Sequence, residues 1–216
     1  MELTRRSFLA VTGASPFAWT PGARTGRDGC LVLDSGADGL SESALGYLQS
    51  SSATSTSRTP VMPSRAATVV APAAVVDRSS ALRLRDSAWR GASVLIELGL
   101  AFVDDAHAGA QRALISDVFD VGVGEVVYLW REGRDRVPYV RYDWPVAAWV
   151  RDFSRAVSVD GIGWRSIAEI EGRPVAVRRR VGRGAVTILG SPLGPALRAG
   201  DRDAATWFAA FLHGSA

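Results

Sequence analysis

The sequence predicts an α/β fold of three layers, a sandwich with helices on both faces of a mostly parallel central sheet, closed by a late antiparallel hairpin. Three observations predict it. The runs "CLVLD", "AATVV" and "SVLIE" are continuously apolar rather than alternating, as in strands buried on both faces. Stretches with helical spacing separate them, so strand and helix alternate along the chain. Near the end, "RPVAVRRRV" and "GAVTILG" flank Val181-Gly182-Arg183-Gly184, a glycine-containing turn between two strands.

At 216 residues the chain is long enough for one α/β domain with a proper core. A hydrophobic share of 47% and a charged share of 22% exclude wholesale disorder. The formal net charge is +3, and every basic residue is arginine, because the sequence contains no lysine. The tight cluster Arg178-Arg179-Arg180 falls in a predicted strand, whose alternation splits it between two faces. A nucleic-acid partner, which asks for charge gathered on one patch, is therefore not expected. Cys30, the single cysteine, excludes an internal disulfide and reads as a small buried hydrophobe.

Taken in order, the elements begin with "LTRRSFLAVTGASPFAW". Arg5, Arg6, Ser7, Phe8 and Leu9 resemble the Ser/Thr-Arg-Arg-x-Phe-Leu pattern of a twin-arginine export signal. That resemblance implies a leader over 1–23, cleaved after Ala23, and a periplasmic or extracellular destination. The segment is too short and too rich in Gly, Ser and Pro for a stable transmembrane helix, so no membrane span is expected after cleavage. One domain then covers 28–213. Its first strand ends at Asp34, with Ser35 and Gly36 in the turn. A helix follows at "SESALGYLQ", and the low-complexity stretch 50–60 reads as a loop or a short irregular strand. "AATVVAPAAVVD" is a strand broken by Pro72, and "SSALRLRDSAWRG" is a helix with Leu82, Ala88 and Trp89 for its buried face. "ASVLIELG" is the next strand and "AGAQRALISDVFDV" the next helix. Residues at about 122–160 read as an aromatic-rich insertion of short strands and loops. After the hairpin comes a last helix, "DRDAATWFAAFL", with Asp201 as its N-cap.

The chemistry-bearing candidates are carboxylates at strand ends. Glu97 closes a buried run, where an ionised carboxylate must be paired, hydrogen-bonded or neutralised. Ligands of open α/β sheets sit at the carboxyl ends of the strands, which makes Glu97, Asp34 and the following Asp105 candidate catalytic residues. The candidate ligand-binding set is Glu97, Ser35, Tyr142 and Trp144, the last two from the aromatic stretch "YVRYDWPVAAWVRDF". That stretch reads either as a sugar or peptide groove or as cover for the open edge of the sheet. Glu97 with Asp104 and Asp105 could hold a hard cation, but Asp-Asp in a loop reads more simply as a solvated pair, so no metal site is expected; no cofactor is expected either.

The order "AATVVAPAAVVD", helix, "RGASVLIELGLAF", together with "VAVRRRVGRGAVTILG", resembles class I glutamine amidotransferase-like (flavodoxin-like) domains over 28–118 and 164–213. On that resemblance Glu97 stands where the family has its nucleophilic cysteine: "IELG" replaces "ICLG". The place of the family's histidine reads "GSPLG", Gly190 to Gly194, and the chain's two histidines, His107 and His213, lie elsewhere. The resemblance thus implies an amidotransferase-like domain without glutaminase activity. The expected role is an exported, non-catalytic domain that binds a small polar ligand, such as a glycan, or an envelope partner protein. The alternative is a hydrolase that uses Glu97 with Asp34 or Asp105.

Overall fold

The computed structural model describes residues 30–33, 42–51, 54–57, 68–72, 77–98, 105–128, 138–152 and 155–214. In chain order the elements are β1 (Cys30–Leu33), α1 (Glu42–Ser50), β2 (Thr54–Ser57), β3 (Thr68–Ala71), α2 (Arg78–Arg90), β4 (Ser93–Glu97) and α3 (Asp105–Phe119). They continue as β5 (Gly122–Tyr128), β6 (Tyr139–Tyr142), β7 (Ala148–Arg151), β8 (Arg155–Asp160), β9 (Arg165–Ile170), β10 (Arg173–Val181), β11 (Gly184–Leu189), α4 (Gly194–Arg198) and α5 (Arg202–His213). Nine strands form one sheet in the order β2-β1-β3-β4-β11-β10-β9-β6-β7, and β5 with β8 form a separate two-stranded sheet.

Local chemistry explains the boundaries. Asp77 caps α2 by accepting from the Ser80 N–H at 2.9 Å, and Gly91, at φ 119°, ends the helix in a conformation that L side chains rarely adopt. Asp201 caps α5 through the Ala204 N–H at 3.0 Å. The turn Gly182-Arg183 joins β10 to β11, whose register pairs Val181 with Gly184 and Arg178 with Thr187.

Two apolar clusters lie on opposite faces of the large sheet, as the period of two in a strand requires. One contains Val32, Val70, Leu95, Val175 and Leu189 beneath Tyr47, Trp207, Phe208 and Phe211 of α1 and α5. The other contains Val69, Val94, Ile96, Val177 and Ile188 against Leu84 and Ala88 of α2, Ile115 of α3, and Val157 and Val159 of β8. Trp89, expected on the buried face of α2, is instead 65% exposed. Its backbone packs against the Gly182 turn, where a Cβ would stand 2.5 Å from the Trp89 carbonyl oxygen.

The expected architecture is corrected. β2, β1, β3, β4 and β11 are parallel to their neighbours, but β11-β10, β10-β9, β9-β6 and β6-β7 are antiparallel. The sheet is therefore mixed, half of its pairings antiparallel, and not the mostly parallel centre of a flavodoxin-like three-layer sandwich. The physical reason lies in 138–151, read as insertion. There every second residue is buried: Val140 and Tyr142 on β6, Ala148 and Val150 on β7. Such one-sided strands extend the sheet with one face in solvent and need no helix on that side.

Candidate functional site

Glu97 ends β4, and its side chain is fully buried on the face covered by α1 and the turn after β11. Its Oε1 accepts three hydrogen bonds: from the Tyr47 hydroxyl at 2.5 Å and from the backbone N–H groups of Leu193 and Gly194, both at 2.7 Å. Oε2 has no hydrogen-bond partner, and neither does the buried Ser43 hydroxyl. Ser43 nonetheless lies close enough to act on the carboxyl's ionisation.

Burial raises the Glu97 pKa above its ordinary value, against the downward pull of Tyr47, the two N–H groups and Ser43. The same carboxyl, after burial itself, pushes the Tyr47 hydroxyl well up.

The sequence builds this site locally. Ser43 and Tyr47 are four residues apart on α1 and so share a face. Gly46 lies between them because a Cβ there would stand 2.0 Å from the Gly194 carbonyl oxygen. A Cβ on Gly194 would in turn stand 2.5 Å from the Ser43 Cα. The "GSPLGP" turn and α1 therefore touch backbone to backbone, which brings two N–H groups onto the carboxyl.

A second buried carboxyl lies nearby. Asp152 accepts a short hydrogen bond from the Ser191 hydroxyl, and both Asp152 and Glu97 act on Tyr142, whose hydroxyl burial pushes far up. Tyr142 is itself in the core, 4.8 Å from Trp207 between ring centroids. Trp144 is half-buried, with its ring edge-on to Phe211 at 5.9 Å and its carbonyl accepting from Trp207 Nε1 at 2.8 Å. Cys30 is buried, its thiol pushed up to about 12 by desolvation.

Of the candidates from sequence, Glu97 and Tyr142 thus meet around one buried polar centre, and Trp144 lies against the same apolar cluster. Asp34 and Ser35 fall outside the described residues. Asp105 opens α3, but its side chain also lies outside them. Among the described residues no cluster of His, Cys, Asp and Glu could hold a metal ion, and no helix is long and apolar enough to cross a membrane. Sequence reasoning missed Tyr47, Ser43, Asp152 and the Leu193-Gly194 amides. The signal for the amides was present: a Gly/Pro-rich turn after a strand is where a backbone can offer N–H groups to an anion. Here the anion is the chain's own carboxyl.

A different group of side chains is open to solvent. On the outer face of β6 and β7, Tyr139 is 45% exposed and Trp149 57% exposed. Arg141, directly opposite Trp149, pairs with Glu169 of β9 at 2.5 Å and approaches Asp143 at 3.7 Å. The outer edge at β7 is held by Asp203 of α5, whose carboxylate accepts the Trp149 N–H at 3.0 Å.

No family model and no curated protein matches the chain. Solved structures do. A cold-adapted β-galactosidase from Rahnella sp. R3 is similar at TM-score 0.57 and 10% identity, over 87% of this chain and 31% of the enzyme. An exo-β-1,4-mannosidase from Opitutaceae bacterium strain TAV5 is similar at TM-score 0.58 and 13% identity, over 84% of this chain and 35% of the enzyme. A cytoplasmic protein of Salmonella typhimurium LT2 is similar at TM-score 0.61 and 14% identity, over 87% of this chain and 99% of its own. The chain thus spans roughly a third of the two enzymes, and at these identities the likeness concerns the fold alone. The amidotransferase resemblance is corrected: the sheet is mixed rather than flavodoxin-like, and the solved structures to which the chain is similar include a β-galactosidase and a mannosidase.

Proposed function

We propose that the protein is a non-catalytic glycan-binding module whose contact surface is the exposed face of β6, β7 and β9. The observation that carries the proposal is the combination of solvent-exposed Trp149 and Tyr139 on one sheet face with the Arg141–Glu169 ion pair between strands. A sugar ring offers an apolar C–H face and a polar hydroxyl rim. Aromatic rings take the first, and a carboxylate with a guanidinium takes the second. The likeness to a β-galactosidase and a mannosidase supports a carbohydrate ligand. Burial of Glu97 supports a role without chemistry there, because a general base must come within hydrogen-bond reach of its substrate. Export through the leader at 1–23 is part of this proposal and would present the face to envelope or extracellular glycans.

The test is titration of the full chain with β-linked galacto- and manno-oligosaccharides, followed by intrinsic tryptophan fluorescence. Saturable quenching is expected, with at least a tenfold loss of affinity in Trp149→Ala and an unchanged melting temperature. Equal binding by the variant would refute the face as the site.

A second reading is glycoside hydrolysis with Glu97 and Asp34 or Asp105, supported by what the similar enzymes are. Release of nitrophenol from aryl β-galactosides and β-mannosides, lost in Glu97→Gln, would establish it against the binding reading.

A further inference from the structure

The arginines of β9 and β10 make a second feature, on the opposite face from the Tyr139–Trp149 surface. Arg178 points to the side that carries Val175 and Leu189, while Arg179 points to the other and is stacked over Trp164 at 4.7 Å. Arg179 is satisfied there: it donates to the Phe119 carbonyl at 2.8 Å and pairs with Asp120 at 3.3 Å. Arg178 is not. Its guanidinium lies 4.0 Å over the Trp144 ring, and Nη1 donates to the buried Thr187 hydroxyl at 3.2 Å. Among the described residues it has no carboxylate partner and no other hydrogen bond.

Its neighbours make matters worse. Arg165 stands directly opposite Arg178 in the β9–β10 register, and Arg180 is two residues along the same strand, hence on the same face. Both are exposed and without an ion pair among the described residues. Like charges directly opposite one another destabilise a sheet pair. Burial first, then Arg180 and Arg165, lowers the Arg178 pKa to about 10, so it is still charged at neutral pH. A half-buried cation held flat by a tryptophan and a threonine, with N–H donors unused among the described residues and two more cations beside it, is arranged for an anion.

We propose that Arg178, Arg165 and Arg180 form a binding site for a dianionic oxyanion group, a phosphate or a sulfate, carried by a small ligand. A guanidinium fork matches two oxygens of such a group. Three cations favour a dianion over a carboxylate. Trp144 fixes the plane of the central fork, and Thr187 occupies its inner end, so the outer N–H groups face the ligand. The site is independent of the glycan-binding face.

The experiment is isothermal titration of the full chain with sodium phosphate, sodium sulfate or sodium acetate, at ionic strength held constant with sodium chloride. One saturable site for phosphate or sulfate is expected, with acetate weaker by about tenfold or more. The stronger of phosphate and sulfate names the source of the group. Arg165→Gln and Arg180→Gln, both at exposed positions, should each weaken binding by about three- to tenfold without moving the melting temperature. Arg178→Met, which keeps an apolar stem over Trp144, should abolish it, and Trp149→Ala should leave it unchanged. No saturable binding of either dianion, acetate binding as tightly, or wild-type affinity in both glutamine variants would overturn the site.

Discussion

Replacing Glu97 separates two roles that a buried carboxyl can have. In Glu97→Leu, the Tyr47 hydroxyl and the Leu193 and Gly194 N–H groups lose their shared acceptor in a site without solvent. Each buried donor left unpaired costs about 1–3 kcal/mol, and partial relaxation plus relief of carboxyl burial offsets some of that, so a loss of about 3–5 kcal/mol is expected. Glu97→Gln keeps an oxygen for the three donors and removes the charge that burial disfavours, so it should fall within about 1 kcal/mol of wild type. The pH dependence carries the sign. Because burial raises the folded pKa above 4.5, the native state holds the proton where the unfolded chain has lost it. Stability from this group is complete below the unfolded pKa and declines as pH rises from about 4.5 through the raised native value. Urea unfolding across that range should therefore show wild type losing ground to Glu97→Gln as pH rises. Parallel pH profiles for the two proteins, or a Glu97→Leu variant as stable as wild type, would refute a structural carboxyl with a raised pKa.

Gly46→Ala would drive a Cβ to 2.0 Å from the Gly194 carbonyl oxygen, and thermal melting should show a loss of about 2 kcal/mol or more, with an unchanged melting point counting against the backbone contact. Asp77→Ala should cost about 1 kcal/mol through the lost α2 cap. Hydrogen bonds from Ser79 and Ser80 hold the Asp77 carboxyl well below the usual carboxylate range. Its contribution should be present above about pH 4 and fade as pH falls, a trend that acid titration of wild type against the variant reads directly. Glu171 sits at φ 52° beside Gly172 at φ 76° in the β9–β10 turn. Glu171→Asn should therefore stabilise by a few tenths of a kcal/mol in urea unfolding, about the gain expected of a residue that tolerates that conformation.

β3 and β4 were legible as buried strands because they are continuously apolar: "TVVA" and "SVLIE" are buried at every position. The α5 cap at Asp201 and the Gly182-Arg183 turn were legible because each is a local rule with one chemical cause. What failed was the join. Nothing local in "YVRY" or "AWVR" says whether an alternating strand belongs to an insertion or extends the main sheet, since the pairing partner β9 lies more than twenty residues away. Trp89 misled for a related reason: helical spacing puts it near the buried face, but it packs against the β10–β11 turn and stays exposed. Glu97 was legible as a residue needing partners. Its partners were not, because they come from α1 and from a turn nearly a hundred residues downstream.

β11 lies between β4 and β10, hydrogen-bonded to both, yet it is made long after β4. A growing chain that has completed β1 to β4 therefore presents the whole length of Ser93–Glu97 as an open, apolar strand edge until Leu189 has been synthesised. An unpaired edge of this kind is an invitation to other chains. Through that interval Glu97 also lacks the two amide donors that later hold it and is free to ionise in water. Burial of Glu97 with its donors therefore depends on the "GSPLG" turn, which follows β11 in the chain.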